Sequence, residues 1–142
     1  MKKRKTAKAK KRATDSSKAM KTGKVSETIL KRSILREVEA IRSEVLVGAA
    51  VGEDCAILKP GEGEVFVLST DPITGTTKDI GRLSICVTLN DIASAGAEPI
   101  GVLLSVLLPP ETDEEELKSI MHDVSRECAA NRVQILGGHT EV

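Results

Sequence analysis

Leu68-Ser69-Thr70-Asp71-Pro72-Ile73-Thr74-Gly75 reads as the end of a strand running out into a loop, and the fold is read outward from it. Val65 to Thr70 is rich in large apolar and β-branched residues, and Asp71-Pro72 is turn chemistry that leaves one carboxylate where the strand stops. Upstream, Gly52 opens a short apolar run, Cys55 to Leu58, and Pro60-Gly61-Glu62-Gly63 is a turn. The two runs predict an antiparallel hairpin with a loop longer than the two-residue ideal. Downstream, Thr74-Gly75-Thr76-Thr77 is a polar loop of small residues able to lie against a ligand.

Helical periodicity frames this centre. Ser26 is a good N-cap, with Val25 placed to staple onto Leu30. Leu30, Ile34, Val38, Ile41 and Val45 continue one apolar stripe, which predicts a helix ending near Leu46, before Gly48. Asp79 to Ala95 is apolar almost all round and predicts a buried, central helix stopped by Gly96. Asn90-Asp91 interrupts it one turn from its negative end, where a carboxylate is unfavourable by a few tenths to about 1 kcal/mol. A bound cation would offset that cost.

Pro99 to Leu108 predicts a strand covered on both faces. Thr112-Asp113-Glu114-Glu115 reads as a capping box for a helix carrying Leu117, Ile120, Met121, Val124 and Cys128 on one face. Val133 to Leu136 is a last short strand ending in a Gly137-Gly138 turn. The order predicts an α+β (α/β) sandwich with helices on one sheet face. A strand and Gly-Gly turn just before Val142 suggest the front part of a longer architecture.

The 142 residues suit one domain, and their 21 basic and 21 acidic side chains are unevenly spread. Residues 1–24 hold eleven Lys or Arg against Asp15 alone, whereas 25–142 carry a charge of −10. Composition therefore predicts a disordered basic tail over 1–24 and a folded domain over 25–142. The tail reads as a solvated extension; contact with RNA or another polyanion is the alternative, weakened because no aromatic residue interleaves the lysines. No apolar core follows the charges, which excludes a secretory signal, and no run approaches the roughly 18 apolar residues of a membrane helix. Cys55, Cys86 and Cys128 are odd in number and lack C-x-x-C spacing, so reduced, mostly packed thiols in a cytoplasmic protein are expected, and not a zinc site.

Asp54, Asp71 and Asp91 come from separated segments and each sits at an element boundary or against local propensity. Three such carboxylates suit Mg²⁺, which takes oxygen ligands and substrate phosphates. The competing readings are a turn cap at Asp54, a turn starter at Asp71 and a hydrogen-bonded polar residue at Asp91. Gly137-Gly138 would let backbone N–H groups approach a phosphate, with Thr140 as hydroxyl donor, or would simply turn the chain. Gly23-Lys24 is not a Walker A motif, and no G-x-G-x-x-G is present. His139, Lys78 and Arg82 could touch substrate or phosphate, or be ordinary surface residues.

Gly52-Glu53-Asp54-Cys55-Ala56, Ser69-Thr70-Asp71, Gly81-Arg82-Leu83, Leu89 through Pro99, and Gly137-Gly138-His139-Thr140-Glu141 follow one another at a characteristic spacing. Over about residues 22–142 this set resembles the N-terminal domain of the aminoimidazole ribonucleotide (AIR) synthase, or PurM-like, superfamily. It looks nearest the hydrogenase-maturation HypE and AIR synthase-related branch. The resemblance implies a four-stranded sheet backed by helices, two such domains pairing into a β-barrel-like homodimer, and ATP near the subunit interface. It implies Asp54, Asp71 and Asp91 on Mg²⁺, with Asn90, Gly137, Gly138 and Thr140 on the nucleotide. The implied chemistry is phosphorylation of an amide-like oxygen or similar nucleophile, on a small molecule or a protein thiocarboxamide. Three departures stand out. The superfamily's C-terminal domain is not among these residues and would come from a continuation of the chain or from a separate chain; no Cys precedes Asp54; and the reactive Cys of a far C-terminus is not among them. No residue is assigned a catalytic role.

Two classes of function follow: the Mg-ATP half of an ATP-dependent enzyme, and a non-catalytic dimerisation or interaction module of the same fold. No membrane role is expected, and nucleic-acid binding through the tail ranks below both.

Overall fold

Asp113 starts the helix on which the core is built. The computed structural model describes residues 19–53, 55–74 and 78–142. The Asp113 side chain accepts a hydrogen bond from Glu116 N at 2.9 Å, and helix α3 runs Glu114–Ala130. The cap is Asp113, one residue later than the capping box predicts, because Thr112 is buried at the turn and its carbonyl accepts from Met20 N. Leu117, Met121, Val124 and Cys128 are buried along one face, as the periodicity predicts.

The other elements in chain order are α1 (Glu27–Ser33), a 3-10 turn (Leu35–Glu37), β1 (Val45–Val47), β2 (Ile57–Leu58), α2 (Ile80–Ser94), β3 (Gly101–Leu107) and, after α3, β4 (Gln134–Glu141). The fold is mixed α/β. Its described strands form two two-stranded sheets: β1 and β2 antiparallel, β3 and β4 parallel. The β3–α3–β4 unit buries Val102, Leu117, Met121, Val124, Val133 and Ile135 together with Ile85 of α2. Helix α2 packs on α3. The approach of α2 to α3 is close at Gly81, where a Cβ would stand 2.5 Å from the Ile120 carbonyl oxygen.

Several sequence expectations are corrected. The first helix begins after Ser26 as predicted but ends at Ser33. Buried Gln134 accepts hydrogen bonds from Ile41 N and Arg42 N, both at 3.0 Å, which holds that backbone away from helical pairing, and Val45 pairs with Leu58. The partner of the 57–58 strand is therefore 45–47 and not 65–70. Residues 65–70 carry no ladder, and Val65 and Leu68 are 85% and 89% exposed. The β3 strand is covered on one face only, with Leu103 and Leu107 67% and 75% exposed, and Leu83 and Val87 leave part of α2 open. Gly137-Gly138 is no turn: both lie inside β4, opposite Leu103 and Leu104. A Cβ on Gly138 would stand 1.9 Å from the Leu104 carbonyl oxygen, so only glycine permits this pairing.

Residues 19–24, assigned by composition to the basic tail, lie along the domain. Gly23 and Val142 exchange backbone hydrogen bonds of 3.0 and 3.2 Å, and Met20 reaches the core. Residues 1–18 lie outside the described residues.

Helix α1 is tied to α3 through Glu114, which accepts from Arg32 Nε at 2.5 Å and from Ser33 Oγ at 3.1 Å. Lys118 stands 3.3 Å away. The Arg32 guanidinium, helped by Lys118 and Ser33, holds the Glu114 carboxyl down to about 2 despite partial burial. A lowered carboxyl contributes stability that is full above its ordinary value of 4.5 and lost as pH falls toward about 2. Glu114→Gln is therefore expected to cost about 1–2 kcal/mol at neutral pH, Arg32 being half-exposed and screened. The gap from wild type in urea midpoint should close as pH falls below 4.5; a gap independent of pH would contradict this.

Candidate functional site

Ser69 and Asp71, two residues apart in sequence, both meet Asp91 in the last turn of α2. Ser69 Oγ donates to Asp91 Oδ2 at 2.9 Å. The Asp71 carboxyl lies against the same Asp91 carboxyl, and hydrogen bonding to it, then its negative charge, raises Asp71 above the ordinary carboxylate range. Two acids 20 residues apart in sequence thus converge at the negative end of α2. The Asp91 carbonyl is itself occupied, accepting from Ala95 N at 3.3 Å and Ser94 Oγ at 2.8 Å.

Like charges brought together at a negative helix end destabilise the protein alone and favour a cation between them. The donors are hard oxygens, two carboxylates and a hydroxyl, which match Mg²⁺ and not a soft metal. Among the described residues no third His, Cys, Asp or Glu completes a ligand group. Asp54, the third acid predicted from sequence, lies outside the described residues.

Asn90 is exposed beside Asp91 on α2. Gly137, Gly138 and Thr140 lie on β4, with Thr140 opposite Val106 and its carbonyl accepting from Val25 N at 3.3 Å. None of the described partners of the acid pair lies on β4. His139 Nε2 lies 3.2 Å from Glu141 Oε2 on the exposed sheet face. Arg82, considered for phosphate, pairs with Glu127 at 3.4 Å. Ser69 belongs to a quoted motif but received no role from sequence; its two-residue spacing from Asp71 was the available signal.

The thiols divide by burial. Cys128 is buried, and desolvation pushes it up to about 12. Cys86 is half-buried, its Sγ 3.9 Å from Glu127 Oε2. Cys55 is exposed, against the expectation of mostly packed cysteines. No helix among the described residues is long and apolar enough to cross a membrane.

Residues 52–142 match the family model described as AIR synthase related protein, N-terminal domain. Over 125 residues, 84% of this chain and 37% of the relative, the sequence is 31% identical to a protein of Methanocaldococcus jannaschii named for hydrogenase expression/formation. It is 30% identical to carbamoyl dehydratase HypE of Rhodobacter capsulatus over 63% of this chain and 27% of that one. To thiamine-monophosphate kinase of Escherichia coli K12 it is 29% identical over 75% of this chain and 35% of the kinase. The chain spans about a third of the length of these relatives. By model and by relatives, it belongs to the AIR synthase related family, of which it carries the N-terminal domain.

Proposed function

We propose that this domain binds Mg-ATP as part of an ATP-dependent enzyme of the HypE-like, AIR synthase-related kind. The observation that carries this reading is the meeting of Asp71 and Asp91, with Ser69 holding one Asp91 oxygen. Asp71 and Asp91, with Asp54, would hold the metal, while Asn90, Gly137, Gly138 and Thr140 would contact the nucleotide. Bound Mg-ATP would supply a phosphoryl group activated by charge neutralisation. The chain's own part is to orient the metal-bearing carboxylates and to present β4 to the phosphates. The acceptor would be an amide-like oxygen or similar nucleophile, on a small molecule or a protein thiocarboxamide, and the enzyme would be cytoplasmic. The names of the relatives, a dehydratase and a kinase, support this class.

Calorimetry with ATP is the test: Mg²⁺-dependent binding is expected in the wild type and lost in Asp71→Ala. Undiminished binding in that variant would remove the site.

The exposed apolar residues favour a second reading, an assembly module. Val65, Leu68, Leu103 and Leu107 are all more than two-thirds exposed, which suits a face covered by a second copy or by a C-terminal-domain chain. In this reading residues 65–70 complete a four-stranded sheet on forming the barrel-like homodimer. Light scattering decides it: a strict monomer at high concentration would contradict the dimer.

A further inference from the structure

A solvent-open cleft of about 500 Å³ lies between the loop 39–44 and the C-terminal end of α3, lined chiefly by Glu39, Ile41, Arg42, Glu44, Ala129 and Arg132. None of these belongs to the Asp71–Asp91 site. Two of the charges are committed to each other. Arg42 Nη2 donates to Glu44 Oε1 at 2.7 Å and Nη1 to Glu98 Oε1 at 3.0 Å. The Arg42 Nε is closed off without a partner, so this guanidinium forms a fixed wall.

Glu39 and Arg132 remain. Both are exposed, and neither has an ion pair or side-chain hydrogen bond among the described residues, with each other or with a third group. A carboxylate and a guanidinium therefore stand unpaired on one cleft, with apolar Ile41 and Ala129 beside them.

The backbone gives an independent sign at Arg132. It follows the α3 C-cap, Asn131, at the position where Val133 N returns to Cys128 O at 2.9 Å and Arg132 N to Ala129 O at 3.2 Å. This closure calls for a left-handed residue, usually glycine. Arg132 adopts it with φ 55°, a strained choice for a long side chain. Strain at a non-glycine residue beside a cleft points toward use of its side chain.

We propose that this cleft binds a small zwitterion, an α-amino acid or a molecule with the same carboxylate–ammonium pair. Arg132 takes the carboxylate, Glu39 takes the ammonium, and Ile41 with Ala129 contacts the aliphatic part. A lone anion would meet Glu39 and the Glu44 wall as well as Arg132; only a ligand carrying both charges satisfies both free groups. The volume falls within the range of small-molecule sites.

The test is thermal shift and calorimetry on the full chain with the standard amino acids, with acetate and methylammonium as single-charge controls. A subset of amino acids is expected to bind at millimolar concentration or below, and neither control should. Arg132→Gly is expected to raise the ligand-free Tm by about 3 °C by removing the strained cap. The same variant should weaken binding roughly tenfold or more. Glu39→Gln should weaken binding comparably while leaving the ligand-free Tm in place. Absence of amino-acid binding, equal binding of a control, or full binding by Arg132→Gly would overturn the proposal. A fall in Tm for Arg132→Gly would overturn the strain argument on which it rests.

Discussion

Gly138→Ala is expected to remove about 3 kcal/mol or more of stability, enough to leave a marginal domain largely unfolded at 37 °C. The added methyl would stand 1.9 Å from the Leu104 carbonyl oxygen and 2.8 Å from its nitrogen, and both are backbone atoms of the paired strand. No rotamer change relieves such a contact. The strands must part, and the β3–β4 pairing they would lose holds Val102 and Ile135 in the core. At Gly137 a Cβ would meet only the end of Leu103, at 3.7 Å. Its alanine variant is therefore expected to be the milder of the pair. Urea unfolding of both variants checks the ranking, and equal losses would contradict it.

Asp91→Asn carries the second large effect, and it runs in opposite directions with and without a divalent cation. Asp71 binds its proton more tightly in the folded protein because Asp91 lies beside it. A raised carboxyl stabilises the fold fully below its unfolded value, and that contribution is lost as pH rises through the folded one. Above that point two like charges face each other, so at neutral pH without metal Asp91→Asn should raise the Tm. With millimolar Mg²⁺ the order should reverse, the wild type gaining stability by linkage and the variant little. Affinity for Mg²⁺ is expected to fall roughly 100-fold on loss of a charged ligand. A thermal scan over pH, with and without MgCl₂, reads all of this; a variant that matched the wild type in both buffers would remove the acid pair as a cation site.

The positions of helices α2 and α3 and of strand β3 could be read from the sequence, although the full burial expected of α2 and of both faces of β3 was not found. Gly96 after α2 and the Leu117–Cys128 stripe of α3 say locally what packing requires, while the α3 cap was misplaced by one residue, Thr112 for Asp113. The segment 38–47 could not be read that way. Val38, Ile41 and Val45 continue a helical stripe, but the Gln134 side chain, more than 90 residues away, claims the Ile41 and Arg42 amides. Pairing with Leu58 then takes Val45. Residues 65–70 have strand composition without a strand, since a ladder needs a neighbour that composition does not specify. Gly-Gly signals conformational freedom equally for a turn and for a close strand approach, and only the position of Leu104 decides between them. The acid pair was legible because Asp91 offends its own helix. Ser69 and Arg132 were not, one lacking an unusual local setting and the other betrayed only by its backbone angle.

The hydrogen bonds between Gly23 and Val142 bring two positions 119 apart in sequence into register, and this makes the described domain a closed loop of chain. Any segment joined to Val142 would set out beside Gly23, four residues after Ala19, which bridges Asp113. Trimming the lysine-rich tail after residue 18 would keep the closure, whereas trimming after residue 24 would take Met20 and Gly23 with it. Fluorescent labels at positions 22 and 142 would stay close until the clasp opens, giving a direct optical signal for that event.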